Sequence, residues 1–153
     1  MIEIKFDIKG LEKLREGLKR APEMTINEIS RAVQKSALTV QSQAIKEAPV
    51  NKSGGGGNLR QNIKTELRSK TRAEIISKAP YSIFVEGGTA PHEINIRNKK
   101  VLANKRTGEF FGTHVHHPGT QANPYMKRAL EKSRAKIDEF FRTAMSNVFN
   151  SLK

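Results

Sequence analysis

From Asn123-Pro124 onward, Met126, Leu130, Ile137, Phe141, Ala144 and Val148 recur at three- to four-residue steps or their multiples, and Phe140, Met145 and Phe149 widen the stripe. That period is helical. Asn before Pro supplies an N-cap followed by proline at the first helical position, where the missing N–H costs nothing. A helix this long, in a chain of 153 residues, must lay its apolar face against most of whatever else folds. A second stripe answers it: Ile26, Ile29, Val33, Ala37, Val40 and Ala44 keep the same period. Thr25-Ile26-Asn27-Glu28 has capping-box spacing at its start, and Ala48-Pro49 stops it.

The remaining segments are shorter. Ile2, Ile4, Phe6 and Ile8 alternate with charged residues, the period of a strand with one buried face. Leu11, Leu14 and Leu18 then predict a short helix ending at Ala21-Pro22. Leu59 to Leu67 and Ala73 to Lys78 predict a hairpin across the turn Arg68–Arg72, with Ile63, Thr65 and Leu67 on one face. Residues 80–86 fit a helical turn or a strand, and Gly87-Gly88 ends either. Glu93 to Arg97 alternates briefly, as a hairpin arm does, and Glu109 to Val115 predicts another strand. The expected fold is α+β: a small, mostly antiparallel sheet of about four strands packed against two long helices. It is expected to be one domain, residues 1–153, with flexible loops at about 51–58 and 90–108.

Composition removes several classes. Zero cysteine excludes disulfides, thiolate ligands and cysteine nucleophiles together. No apolar run approaches the ~18 residues of a membrane span, and the first residues lack the apolar core of a signal peptide. A soluble protein used in a cytoplasm is expected. The formal charge of +13 is concentrated in residues 51–108, which carry twelve Lys/Arg against four Asp/Glu. Such an excess suits a polyanion, either nucleic acid or an acidic protein surface, and suits equally a solvated face with no partner. Arg97, Lys99, Lys100, Lys105 and Arg106 form the candidate contact loop.

Three sites invite a chemical reading. Lys52-Ser53 followed by Gly54 to Gly57 has phosphate-loop residues in the wrong order, because glycines should precede the Lys-Ser pair and a helix should follow it. A flexible loop is expected instead. His114 and His116 share a strand face and His117 points away, but no cysteine and no His-Glu-x-x-His helix completes a metal site, and the remaining histidine is His92. No metal or other cofactor is expected. Glu86 beside Gly87-Gly88 could serve as a base, yet a structural carboxylate bonding nearby backbone N–H groups is the favoured reading.

Four separated motifs together resemble a family. They are Ala48-Pro49-Val50; Gly57-Asn58-Leu59-Arg60-Gln61-Asn62-Ile63; Ala79 to Thr89, read APYSIFVEGGT; and His117 to Met126, read HPGTQANPYM, followed by Ala129-Leu130. This order resembles the tail-component proteins of tailed bacteriophages and prophages, often called tail completion or head–tail joining proteins. Gly87 stands where such proteins commonly carry an aromatic or aliphatic residue, and Tyr125 where they often carry Phe. The matching positions are Pro49, Gly57, Leu59, Arg60, Tyr81, Glu86, Gly88, Thr89, Pro118, Gly119, Thr120, Pro124 and Tyr125, of which Gly119 and Pro124 look like turn and capping determinants.

The resemblance implies a structural, non-catalytic virion protein of the neck or head-proximal tail end, made in the bacterial cytoplasm. It also implies rings, often hexameric, that touch neighbouring neck or tail proteins and no membrane. In that setting the basic loop is expected to meet acidic protein surfaces rather than DNA, because tight DNA binding in a conduit would slow ejection. The rival reading from another class is a stand-alone basic nucleic-acid-binding protein.

Overall fold

The computed structural model describes residues 2–5, 23–50, 56–96, 101–104 and 107–151, with backbone only at 2–5 and 151. The segment 11–21, predicted as a short helix, lies outside the described residues. The chain divides into two compact units: residues 1–82 with 124–153, and residues 83–123.

The first unit is built on two long helices, α1 (Glu23–Glu47) and α4 (Tyr125–Ser151). Both sequence stripes are buried: Ile29, Val33, Ala37, Val40 and Ala44 on α1, and Met126, Ala129, Ile137, Ala144 and Val148 on α4. Alanines at the contact let the backbones approach closely, and each large apolar side chain removed from water contributes roughly 1.5–3 kcal/mol. Polar pins at both ends show that the helices run antiparallel. Glu47 near the end of α1 accepts from Lys132 Nζ at 2.6 Å and Arg128 Nε at 3.2 Å near the start of α4. Glu28 near the start of α1 accepts from Asn147 Nδ2 at 2.7 Å near the end of α4.

The predicted capping box is not used. α1 begins two residues earlier than Thr25, whose side chain is buried, and Glu28 turns outward to Asn147 and Arg31 instead of back to its own helix start.

A three-stranded antiparallel sheet, ordered β1-β3-β2, completes this unit: β1 (Ile2–Lys5), β2 (Ile63–Ser69) and β3 (Arg72–Ser77). β3 is central and buries every residue from Ala73 to Ser77. Gln41 of α1 reaches the sheet, donating to the Ile63 carbonyl at 3.0 Å and accepting from Thr65 Oγ1 at 2.8 Å. Glu74, buried on β3, is neutralised by Arg68 at 2.7 Å and Arg72 at 2.6 Å, so the charge is not left alone in the interior. The strand expected from Leu59 starts later, because Asn58–Gln61 forms a single helical turn, α2. Gly57 precedes it at φ 108°, a left-handed conformation that starts a turn and not a strand.

In the second unit, α3 (Ser82–Gly87) resolves the ambiguous stretch as a helical turn. Two separate two-stranded ribbons follow: β4 (His92–Asn95) with β7 (His114–His117), and β5 (Leu102–Ala103) with β6 (Phe110–Gly112). The strand expected over Glu109 to Val115 is split between the two, since Gly112 adopts φ 82° and turns the chain before β7. The fold is therefore α+β as expected, but the described strands form one three-stranded sheet and two ribbons instead of one sheet of about four strands.

Candidate functional site

The motif residues of the first unit sit at helix ends. Arg60 places Nε 2.9 Å from the Ala48 carbonyl and a terminal nitrogen 3.3 Å from that of Lys46, so a cation closes the C-terminal end of α1 where carbonyls lack partners. Pro49 follows and prevents continuation. Leu59, one residue before Arg60, is buried and anchors α2. At the start of α4 the Pro124 carbonyl accepts the Arg128 N–H at 3.0 Å, while Tyr125 and Met126 are buried at once. Tyr81 stands 41% exposed. None of the three charges pinning the helices together, Glu47, Arg128 and Lys132, carries a local sequence signal, because the partners are far apart along the chain.

In the second unit the structure brings two motifs together that look unrelated in sequence. Thr89 and Thr120 form an antiparallel bridge, with Thr89 N–H donating to the Thr120 carbonyl at 2.9 Å and Thr120 N–H to the Thr89 carbonyl at 3.1 Å. A glycine precedes each threonine, Gly88 at φ 71° and Gly119 at φ 86°. A Cβ on Gly88 would stand 2.5 Å from the Thr120 carbonyl oxygen and 2.8 Å from the Ala122 nitrogen. One on Gly119 would collide with the Thr89 carbonyl oxygen and come within 2.9 Å of the Ala90 carbonyl carbon. Gly-Thr from each motif is thus one half of a close backbone crossing. Asn123 N–H donates to the Val85 carbonyl at 2.8 Å beside it. Glu86 is half-buried in α3, and Pro118 is exposed at the turn.

The histidines serve the same region. Along β4–β7, Glu93, Asn95, His114 and His116 share one face, as the register requires. The Glu93 carboxylate lies 2.9 Å from His114 Nε2 and 2.5 Å from His116 Nδ1, and Asn95 Oδ1 lies 2.7 Å from His114 Nδ1. On the other face His92 and His117 stack with ring centroids 5.0 Å apart, and His117 Nδ1 accepts the Gly119 N–H at 3.1 Å. His117 therefore shapes the turn that Gly119 makes. No group of His, Asp and Glu among the described residues is arranged to hold a metal ion.

Arg97, Lys99, Lys100, Lys105 and Arg106 lie outside the described residues. The exposed large apolar side chains of the described surface include Ile83 and Phe84 on α3, Phe110 and Phe111 on β6, and Phe149 on α4, besides Met24, Leu38, Val50, Leu67 and Tyr81 elsewhere. Among the described residues no helix is long and apolar enough to cross a membrane.

No curated protein and no solved structure matches the chain. One family profile does, described as "Bacteriophage HK97-gp10, putative tail-component", over residues 12–88. The match takes in the motifs from Ala48-Pro49 through Gly88, and covers just over half of the chain, so that this protein belongs to the HK97-gp10-like family of bacteriophage tail components.

Proposed function

We propose that this chain is a structural protein of the phage neck or head-proximal tail end, assembling as a ring that completes the tail and lets it join the head. The family match over residues 12–88 carries the reading, since a tail component belongs in the virion and touches other tail or neck proteins. No catalytic role is assigned, and the motif residues act through backbone geometry. Arg60 and Pro49 end α1, Leu59 anchors α2, and Gly88, Thr89, Gly119 and Thr120 form the crossing. Pro124 and Tyr125 start and seat α4, Tyr81 precedes α3 and Glu86 lies in its last turn, and Pro118 holds the turn.

The basic segment holding Arg97, Lys99, Lys100, Lys105 and Arg106 is assigned to acidic surfaces of neighbouring rings. The test is electron microscopy of lysates from the parent phage with this gene deleted. Separate filled heads and tails, restored to whole particles by the purified protein, are expected. Normal infectious particles would refute the role and favour nucleic-acid binding, which a gel shift with duplex DNA at physiological salt then measures.

A further inference from the structure

Strand β2 lies at the edge of its sheet, since the order β1-β3-β2 gives it one neighbour among the described strands. In an antiparallel pair, alternate residues turn their N–H and C=O toward the partner and the others turn them away. Lys78 N–H donates to the Asn62 carbonyl at 2.9 Å, in step with the register that sets Ile63 opposite Ser77. Asn62, Lys64 and Glu66 therefore bond toward β3, whereas the backbone groups of Ile63, Thr65 and Leu67 face the open edge. The Ile63 carbonyl agrees with this direction: it accepts from Gln41 of α1 at 3.0 Å and keeps a second lone pair. A row of outward N–H and C=O groups is a template for a further strand.

Which strand fits is decided by the side chains. The row Ile63, Thr65, Leu67 points to the α1 side, as the bond from Thr65 Oγ1 to Gln41 shows, and the row Lys64, Glu66, Arg68 points to the other. Leu67 is 53% exposed although Ile63 in the same row is buried, so the apolar row ends uncovered at the edge. The outer row alternates positive, negative, positive. A second β2 laid antiparallel on this edge must set outward residues opposite outward residues, which allows two-fold centres at whole residues only. Centred on Lys64 it opposes two lysines. Centred on Glu66 it opposes two glutamates and sets Lys64 against Arg68, and like charges directly opposite are destabilising. A centre on Ile63 runs off the start of the strand, and one on Leu67 falls on the irregularity between Leu67 and Ser69. Centred on Thr65, each Lys64 faces the Glu66 of the other copy, each Ile63 faces a Leu67, and the two Thr65 residues exchange both backbone bonds. The Lys64 and Glu66 pairs are then non-hydrogen-bonded ones, in which side chains stand closest.

We infer that the β2 edge is an interface for a second copy of this chain, joined antiparallel about Thr65 into one sheet of six strands, three from each copy. The occupant is a second copy because the strand is its own complement in one register, in charge and in apolar contact together. Glu66, which already holds Arg68 at 2.8 Å and Lys78 at 3.0 Å, gains Lys64 of the second copy. Such a contact is isologous and closes on two copies. It goes beyond the ring reading and neither builds the ring nor needs it.

The test uses the full-length chain, whose lack of cysteine makes introduced thiols the only ones. Lys64→Cys and Glu66→Cys proteins, mixed under mild oxidation, should cross-link to each other several-fold more than either does to itself. Only the mixed pair stands directly opposite, with Cα atoms ~4.5 Å apart and within disulfide reach. Sedimentation at about 0.15 M salt should show wild type passing from monomer to dimer as concentration rises. Thr65→Pro removes an outward N–H but no bond to β3, and Leu67→Lys changes a side chain exposed in the single chain. Both variants should stay monomeric with unchanged circular dichroism. Lys64→Glu should raise the dimer Kd about tenfold by setting acid against acid.

Three results each overturn the inference: wild type that stays monomeric, a dimer that survives in Thr65→Pro and Leu67→Lys, or cross-linking without preference for the mixed pair. None of them touches the ring reading, which the particle-assembly test decides.

Discussion

Gly88 and Gly119 occupy equivalent places on opposite sides of one bridge, and each is required twice over, by a left-handed φ and by backbone standing where a Cβ would go. Gly108 separates the two requirements, since its φ is 72° but nothing lies within 4 Å of its would-be Cβ. Gly108→Ala should therefore carry only the left-handed penalty, roughly 1–2 kcal/mol. Gly119→Ala adds a steric collision and should cost more. Hydrogen exchange at the Thr89 and Thr120 amides measures this, with protection expected to fall further for Gly119→Ala than for Gly108→Ala; the opposite order would refute the crossing. Sequence reading finds Gly119 as a turn determinant but not its pairing with Thr89, because an antiparallel bridge between distant residues has no periodicity to detect.

At the scale of elements, periodicity carries most of what is legible. Both long helices are readable because one face of each is buried along its length, and the stop at Ala48-Pro49 is where α1 ends. Short segments fail for a physical reason: Leu59 lies two residues after a left-handed glycine, and Thr25–Glu28 has capping spacing but lies where Glu28 bonds Asn147 of α4 instead of its own helix start. The clamp on Glu47 gives the helix pair a pH signature. Hydrogen bonds from Lys132 and then Arg128 lower its pKa from near 4.5 to about 2. A carboxylate depressed in this way adds stability above about 4.5, and that contribution is lost as pH falls through about 2. The urea midpoint of wild type should exceed that of Glu47→Gln at neutral pH, with the difference shrinking across this window. Glu28 and Glu66 are also lowered, by bonds from Asn147 and Lys78, but they titrate alike in both proteins and drop out of the difference. A difference independent of pH would show that the clamp is not electrostatic.

For the whole molecule, the contrast lies between a unit with a helical core and a unit that buries none of its described residues. Chymotrypsin should cut after Phe110 or Phe111 well before it cuts after Phe140 or Phe141 in α4, with fragments identified by mass spectrometry. Earlier cleavage within α4 would contradict that ordering of stabilities. Composition anticipates a basic chain without thiols, but exposure of apolar rings is a property of the folded surface, and Phe110 reads in sequence like any strand residue. The Thr89–Thr120 bridge also has an evolutionary consequence. It ties the two ends of the intervening excursion at a fixed base, so residues 90–118 can change length at little thermodynamic cost, about 0.6 kcal/mol per doubling. Phages under selection to fit new neighbours can thus trade this segment as a cassette while the helical frame that carries it stays the same.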